Sequence, residues 1–400
     1  MKKETTKRLL ISIKVVLAVV LLAWVLSQAH WKDYLLAKPE YGGKAWTYLP
    51  KSEDGEQYVE RGILWWKERK VFTPNQYLPV PEGSDQLVRR GFVGTLKNIH
   101  VPLLVLAAMG FPIALLVVAW RLRYLLNVQK VTVSFWESVR LTFLGQFFNQ
   151  VVPGTVGGDL VKAWYLSKHT PHTGAVLVTV FVDRLMGLIE LVLMATVMLT
   201  VVLVCGLAMM DQMRTAIITV TIVTVIVVFV MAFLLSSRLR GILHLQKIYQ
   251  RLPIAHHIQA AGEATHVYRR RPGVLLVGVL ITIVAHVFFI GSIAILGFAL
   301  RLPTSWYDYF IYLPLIYIIG AIPITPGGVG WVEKLYVSFF VVGAAAVGTT
   351  GIIALAMLSR ILQMFWGLPG LLVAVTGPKL PKAKVIEAEL EEAERHTPTE

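Results

Sequence analysis

The stretch from Phe147 to Leu166, FFNQVVPGTVGGDLVKAWYL, constrains this chain more than any other. It is too broken to cross a lipid bilayer as one helix and too apolar to be an ordinary loop. Pro153, Gly154, Gly157 and Gly158 interrupt any helix there. Asp159 then opens an amphipathic stretch at a natural N-cap position. The surrounding chain is 56% hydrophobic and only 16% charged, against about 25% charged in soluble domains. Apolar runs of about 20 residues mark it as an integral membrane protein. Broken backbone at membrane depth is tolerated only where protein buries it or a cavity adjoins it. The stretch is therefore expected to hold something or to move.

The rest of the chain alternates apolar runs with short basic segments. Leu9–Ser27 is expected to be a first, uncleaved span following the basic MKKETTKR. Residues 29–98 form the one sizeable polar segment. Candidate strands lie at Gln57–Val59, Ile63–Trp66 and Gln76–Val80. That segment reads either as a small extracytoplasmic β-rich insert or as an irregular loop lying on headgroups through Trp31, Trp46, Trp65 and Trp66. Spans are expected at Ile99–Trp120, Ala175–Gly206, Ala216–Leu235, Val274–Leu300 and Ile352–Val375, with a short turn at Asp211–Arg214. Residues 377–400 read as a charged cytoplasmic tail. Lys and Arg cluster in the short segments on one side, including Arg121, Arg123, Lys130 and the run Arg238–Arg271. This is the positive-inside pattern, and it places both termini in the cytoplasm of a cell (inner) membrane. The run Arg238–Arg271 serves orientation, an anionic-lipid surface site, or both. The net charge of +14 is explained this way and not by nucleic-acid binding, for which no basic soluble domain exists.

A second break, Pro323–Lys334 (PITPGGVGWVEK), repeats the first. Pro153-Gly154-Thr155-Val156-Gly157 matches Pro326-Gly327-Gly328-Val329-Gly330 at four of five positions. Asp159 and Lys162 follow the first break; Glu333 and Lys334 follow the second. Basic flanks make the first hairpin enter from the cytoplasm, and parity makes the second enter from outside. The fold expected is an all-α polytopic membrane protein. It has about six full spans, two re-entrant helical hairpins entering from opposite faces, and an inverted repeat, with residues 99–376 as the main transmembrane domain. Paired interrupted segments in two halves point to a transporter's binding site.

The chemistry follows from the broken ends. A helix starting after Gly158 presents free N–H groups suited to a phosphate. Asp159 either caps those groups itself, binds a cationic headgroup, or carries a proton. Lys162 pairs with Asp159 or with a lipid phosphate. Asn149, Gln146 and Gln150 can satisfy freed backbone groups. Asp183 and Arg184 sit toward the cytoplasmic interface, with solvation or snorkelling as their simplest role. Glu190, about two turns deeper, needs a partner or a wet cavity. Arg360 is a candidate for an intramembrane ion pair or for lipid phosphate. His286 reads first as an interhelical hydrogen-bonding residue.

Together, FFNQVVPGTVGGDLVKAWYL, VFVDRLMGL and PITPGGVGWVEK resemble the lysylphosphatidylglycerol synthase transmembrane-region family, also called flippase-like or UPF0104. The resemblance covers Ile99 to about Val375. It implies a polytopic helical domain associated with moving aminoacylated phospholipid between leaflets. In multidomain relatives that domain precedes a soluble aminoacyl-transferase, whereas only a short tail follows Val375 here. The second motif often continues with Arg-Glu, where this chain has Trp331-Val332-Glu333-Lys334.

The function expected is translocation or binding of a lipid with an anionic or zwitterionic, phosphate-containing headgroup. An aminoacyl-phospholipid and a polyprenyl-phosphate-linked sugar both fit. The alternatives are a membrane-embedded transferase using Asp159, Glu190 and Glu333, and an accessory subunit that recruits a protein through 29–98 or the tail. No cofactor is expected, since the chain has no nucleotide P-loop and no metal-ligand spacing. The candidate binding residues are Asn149, Pro153, Gly154, Gly157, Gly158, Asp159, Lys162, Arg184, Glu190, Pro326, Gly327, Gly328, Gly330, Glu333 and Arg360.

Overall fold

A computed structural model describes residues 2–49, 57–63, 66–78, 88–151, 157–167, 173–208, 210–235, 272–343 and 348–376. The expected charged tail, the basic run Arg238–Arg271, and Pro153 and Gly154 lie outside the described residues.

The described chain opens with helix α1 (Lys2–Ser27) and a small antiparallel sheet, β1 (Tyr34–Leu36), β2 (Ala45–Leu49), β3 (Tyr58–Ile63) and β4 (Trp66–Val71). The strands run in the order β1-β2-β3-β4. A short helix α2 (Phe92–Lys97) leads into α3 (Val101–Val128), α4 (Phe135–Val151), α5 (Gly157–Ser167), α6 (Thr173–Val204) and α7 (Met210–Leu235). After residues 236–271 come α8 (Pro272–Ala299), α9 (Trp306–Gly320), a 3-10 turn at Pro326–Gly328, α10 (Trp331–Gly343) and α11 (Thr349–Thr376).

Four described segments are long and apolar enough to cross a membrane: Val101–Val128, Thr179–Val204, Gly273–Ala299 and Thr349–Thr376. Ser12–Ser27 and Met213–Phe229 are shorter apolar stretches. Large apolar side chains stay exposed on these helices, among them Val225, Leu276 and Leu372. Helix faces of this kind are at home in lipid, where no water opposes them. The helices α4, α5, α9 and α10 have 17, 11, 15 and 13 residues, fewer than the ~20 needed to span.

The described residues of 34–71 form a sheet and not an irregular loop. The sheet packs Leu35, Ala37, Trp46, Val59 and Tyr77 into a core of its own. Trp46 is therefore an inward sheet residue, and only Trp31 and Trp66 of the described tryptophans considered are exposed. The strand boundaries differ from those expected. Ile63 ends β3 and Trp66 opens β4, and the two are paired, so the described ends of that segment belong to different strands. Gln76 ends a 3-10 turn that starts at Pro74, a residue with no N–H for a ladder, and among the described residues of that segment Tyr77 bridges, to Ala37. The turn expected at Asp211–Arg214 is also displaced: the helix α7 already begins at Met210.

The helices pack reciprocally. The helices α3 and α8 lie antiparallel. The His100 N–H donates to the Ala299 carbonyl at 2.9 Å at one end, Gly110 sits against Ser292, and Gly278 sits near Leu125 at the other. The α4 helix packs on α11, and α9 packs on α6. The two successions α3-α4-break-α5-α6 and α8-α9-break-α10-α11 thus lend each other one helix. A core of buried rings, Tyr309, Tyr312, Tyr336 and Phe340, fills the space around α9 and α10.

Candidate functional site

Two broken helices meet where both need partners. The Gln150 side chain, at the end of α4, donates to the Gln363 carbonyl at 2.8 Å. Gln363 lies half-way along α11, so α4 stops level with the middle of a full-length helix. Gly370 and Gly367 let α4 approach, with the Phe143 carbonyl and the Phe147 backbone against them. The second break reaches the same place: a Cβ on Gly327 would stand 2.9 Å from the Gln150 carbonyl oxygen. Gly327 has φ +58°, the left-handed region, and so suits this turn on two counts.

Freed backbone groups at both breaks find side chains. Asn149 Oδ1 accepts from the Gly158 N–H at 3.0 Å. Glu333 Oε2 accepts from the Gly330 N–H at 2.7 Å. Arg360 donates to the Gly327 carbonyl at 3.0 Å and the Gly328 carbonyl at 3.1 Å. This is the accounting that non-helical backbone away from water requires.

Each break is followed by an acid that reaches an arginine on the next long helix. Asp159, buried in α5, contacts Arg184 of α6 and also Lys162 Nζ at 2.9 Å. Glu333, buried in α10, contacts Arg360 of α11. Among the described residues, Glu333 contacts one cation, whereas Asp159 contacts two, and the Arg184 side chain is 42% exposed. Gly145 makes room for the Lys162 stem, whose Cε lies 2.6 Å from where a Cβ would be.

These placements change several residue roles. Asp159 is the third residue of α5, not its N-cap, and its carboxylate is taken by Lys162 and Arg184. Asn149 is occupied with backbone. Gly157 opens α5, and Gly158 rests on the Gly145 carbonyl. Pro326, Gly327 and Gly328 form the 3-10 turn, and Gly330 (φ +77°) lies against Ala18, Leu21 and Leu22 of α1. Lys334 does not join Glu333; its ammonium stands 5.3 Å over the Trp24 ring of α1.

Glu190 is separate from both clusters. It is fully buried on α6, and its carboxylate is in direct contact with His286 Nδ1 of α8. Asp183 is not solvated. It pairs with Arg121 Nε at 2.7 Å, and Arg121 also donates to Thr282 Oγ1 at 2.8 Å. Arg121 is 6% exposed, so it is a buried partner linking α3, α6 and α8 and not merely an orientation signal. An acid such as Asp183 in an apolar helix is the sequence signal that could have found it.

A further chain of buried polar groups joins α9, α10 and α11. Gln363 Nε2 donates to Tyr317 Oη at 3.2 Å; Tyr317 and Tyr336 hydroxyls lie 3.3 Å apart; Ser359 donates to Tyr336 Oη at 3.5 Å. The tyrosines carry no sequence signal that separates them from ordinary core aromatics.

A search among curated proteins finds no match. The profile described as Lysylphosphatidylglycerol synthase TM region matches residues 90–370, which takes in both breaks, the three acid–arginine pairs, three of the four long apolar helices and most of the fourth. The chain is a multi-pass membrane protein, and it belongs to the lysylphosphatidylglycerol synthase TM-region family.

Proposed function

We propose that the chain binds a lipid with a phosphate-containing headgroup between its two broken helices and moves it between leaflets. An aminoacyl-phospholipid and a polyprenyl-phosphate-linked sugar are the two headgroup chemistries in view. The observation that carries the reading is the meeting of the breaks at Gln150 and Gly327, level with the middle of α11, beside the buried Asp159 and the two cations that contact it, Lys162 and Arg184. A phosphate there would accept charge-assisted hydrogen bonds from Lys162 and Arg184. The family to which the chain belongs is named for a phospholipid-modifying protein, which favours a lipid over other anions.

In this reading α4–α5 and α9–α10 are re-entrant hairpins, Ser12–Ser27 and Met213–Phe229 complete six spans, and the two halves are an inverted repeat. The antiparallel packing of α3 on α8 and the exchange of α4 and α9 support that arrangement. Residues 29–98 then lie outside the cell membrane, both termini lie in the cytoplasm, and the sheet is available to a protein partner. Rocking of one half against the other would expose the site to each leaflet in turn.

The direct test is mass spectrometry of lipid that co-purifies with the detergent-solubilised protein. A phosphate-bearing lipid should accompany the wild type and be depleted in the Lys162→Ala, Arg184→Ala double variant. Equal retention by both would remove Lys162 and Arg184 from the site.

A further inference from the structure

We infer that Glu190 and His286 form a proton-binding site that couples proton movement to lipid movement, an inference that rests on the transport reading above. Glu190 has no exposed surface and lies near the middle of α6; His286 lies at the middle of α8. A carboxylate in such a place is costly unless paired. Among the described residues the ionic partner given to Glu190 is His286. The contact is close, yet neither Glu190 oxygen nor His286 Nδ1 makes a directed hydrogen bond. In the proposed site the strength of the pair depends on where its protons are.

The surroundings leave the pair as the titratable element. On the α6 side, Asp183 is already committed to Arg121 of α3, with Thr282 of α8 completing that group. From α9, Tyr317 meets Phe289, which in turn meets His286, with ring centroids 5.1 and 6.5 Å apart. From α7 comes Thr224, beside Thr196 of α6. Arg184 and Asp159 of α5 lie nearly two turns back along α6. From α11, Arg360 is taken by Glu333, and Gln363 by Tyr317.

The two residues also belong to different halves of the chain. With one proton between them the pair is neutral, as carboxylate and imidazolium, and it draws α6 and α8 together. A second proton, taken from one aqueous phase, converts Glu190 to the neutral acid and leaves His286 charged. The attraction is then lost, and the two halves are released from each other. Departure of that proton to the opposite phase restores the pair. One proton crosses, and no other bond is made or broken.

Two measurements on the full-length protein test this. First, lipid movement is followed in proteoliposomes containing phosphatidylglycerol, with and without an imposed pH gradient. The gradient should change the wild-type rate by about five-fold or more, the lower end of an ordinary coupling free energy. Glu190→Gln and His286→Gln should each move lipid at a rate indifferent to the gradient. A Glu190→Gln protein that keeps the full gradient response, or a wild type that moves lipid without any, overturns the inference. Second, infrared difference spectra across a pH step should show a buried carboxylic-acid band in the wild type that Glu190→Gln lacks and His286→Gln shifts. Absence of that band overturns the proton site even if lipid moves. A wild type that shows the band and moves no lipid overturns the transport reading and the coupling while the proton site stands.

Discussion

Arg360 and Glu333 hold the second break from its two sides. Glu333 takes the Gly330 N–H, Arg360 takes the Gly327 and Gly328 carbonyls, and the two side chains meet each other. One ion pair therefore replaces the hydrogen bonds that a continuous helix would have made for itself.

Removing one member leaves the other charged and unsatisfied in a buried place. Arg360→Ala is expected to cost about 3–5 kcal/mol, the usual penalty for breaking a buried pair. Glu333→Gln should cost less, because an amide oxygen still accepts from Gly330. Thermal unfolding in detergent gives the order: Arg360→Ala well below Glu333→Gln, and Glu333→Gln below wild type. A reversed order would mean that the carbonyl contacts of Arg360 matter little.

The second buried pair makes a sharper comparison. Asp183→Ala should destabilise by about 3–5 kcal/mol, since Arg121 is left uncompensated. Asp183→Leu with Arg121→Met should recover most of that loss, because two apolar side chains need no partners. Unfolding midpoints of the single and double variants check this. A double variant no better than the single would show that the pair does more than compensate charge.

The glycines at the second break are expected to be intolerant of a methyl group. Gly330→Ala combines φ +77° with a Cβ 2.7 Å from the Leu22 N and 2.8 Å from the Ala18 carbonyl. The left-handed conformation alone costs about 1–2 kcal/mol, and α1 must also shift. Faster cross-linking loss between cysteines placed on α1 and α10 would register that shift; unchanged cross-linking would deny it.

The sheet supplies a pH dependence. Glu60 contacts Lys67 at 2.7 Å and Arg69 at 3.0 Å, and its hydrogen bonds to them, Lys67 first, hold its pKa below the ordinary value. A lowered folded pKa means that its stabilisation is present above the unfolded value, about 4.3, and is lost as pH falls through the folded one. The cluster faces solvent, so each contact is worth less than about 1 kcal/mol. Amide protection of β3 and β4 should fall on acidification in the wild type, and Glu60→Gln should show the lower protection already at neutral pH.

Much of this geometry was legible because the residues that make it are out of place in lipid. Proline and glycine in an apolar run announce a break, and Glu190 and Arg360, each charged within such a run, announce a need for partners. Arg121 was not legible in the same way. It ends its apolar run, where any arginine reads as an orientation signal, and only the fold brings it to Asp183. The position of Asp159 within α5 depended on which glycine starts the helix, and neighbouring glycines give no local signal for that. The strand β4, Trp66–Val71, is exposed at every position and so has no alternation to read.

Headgroup movement in reconstituted vesicles bears most directly on the central claim. A fluorescent phosphate lipid is placed in both leaflets, and the fraction open to a membrane-impermeant quencher is followed over time. Wild-type protein should bring nearly all of the label within reach. Lys162→Ala and Arg184→Ala, each confirmed folded, should slow that movement by about ten-fold or more, a single lost charge-assisted contact being worth that much. If both variants move lipid as fast as the wild type, the headgroup does not pass between the two breaks.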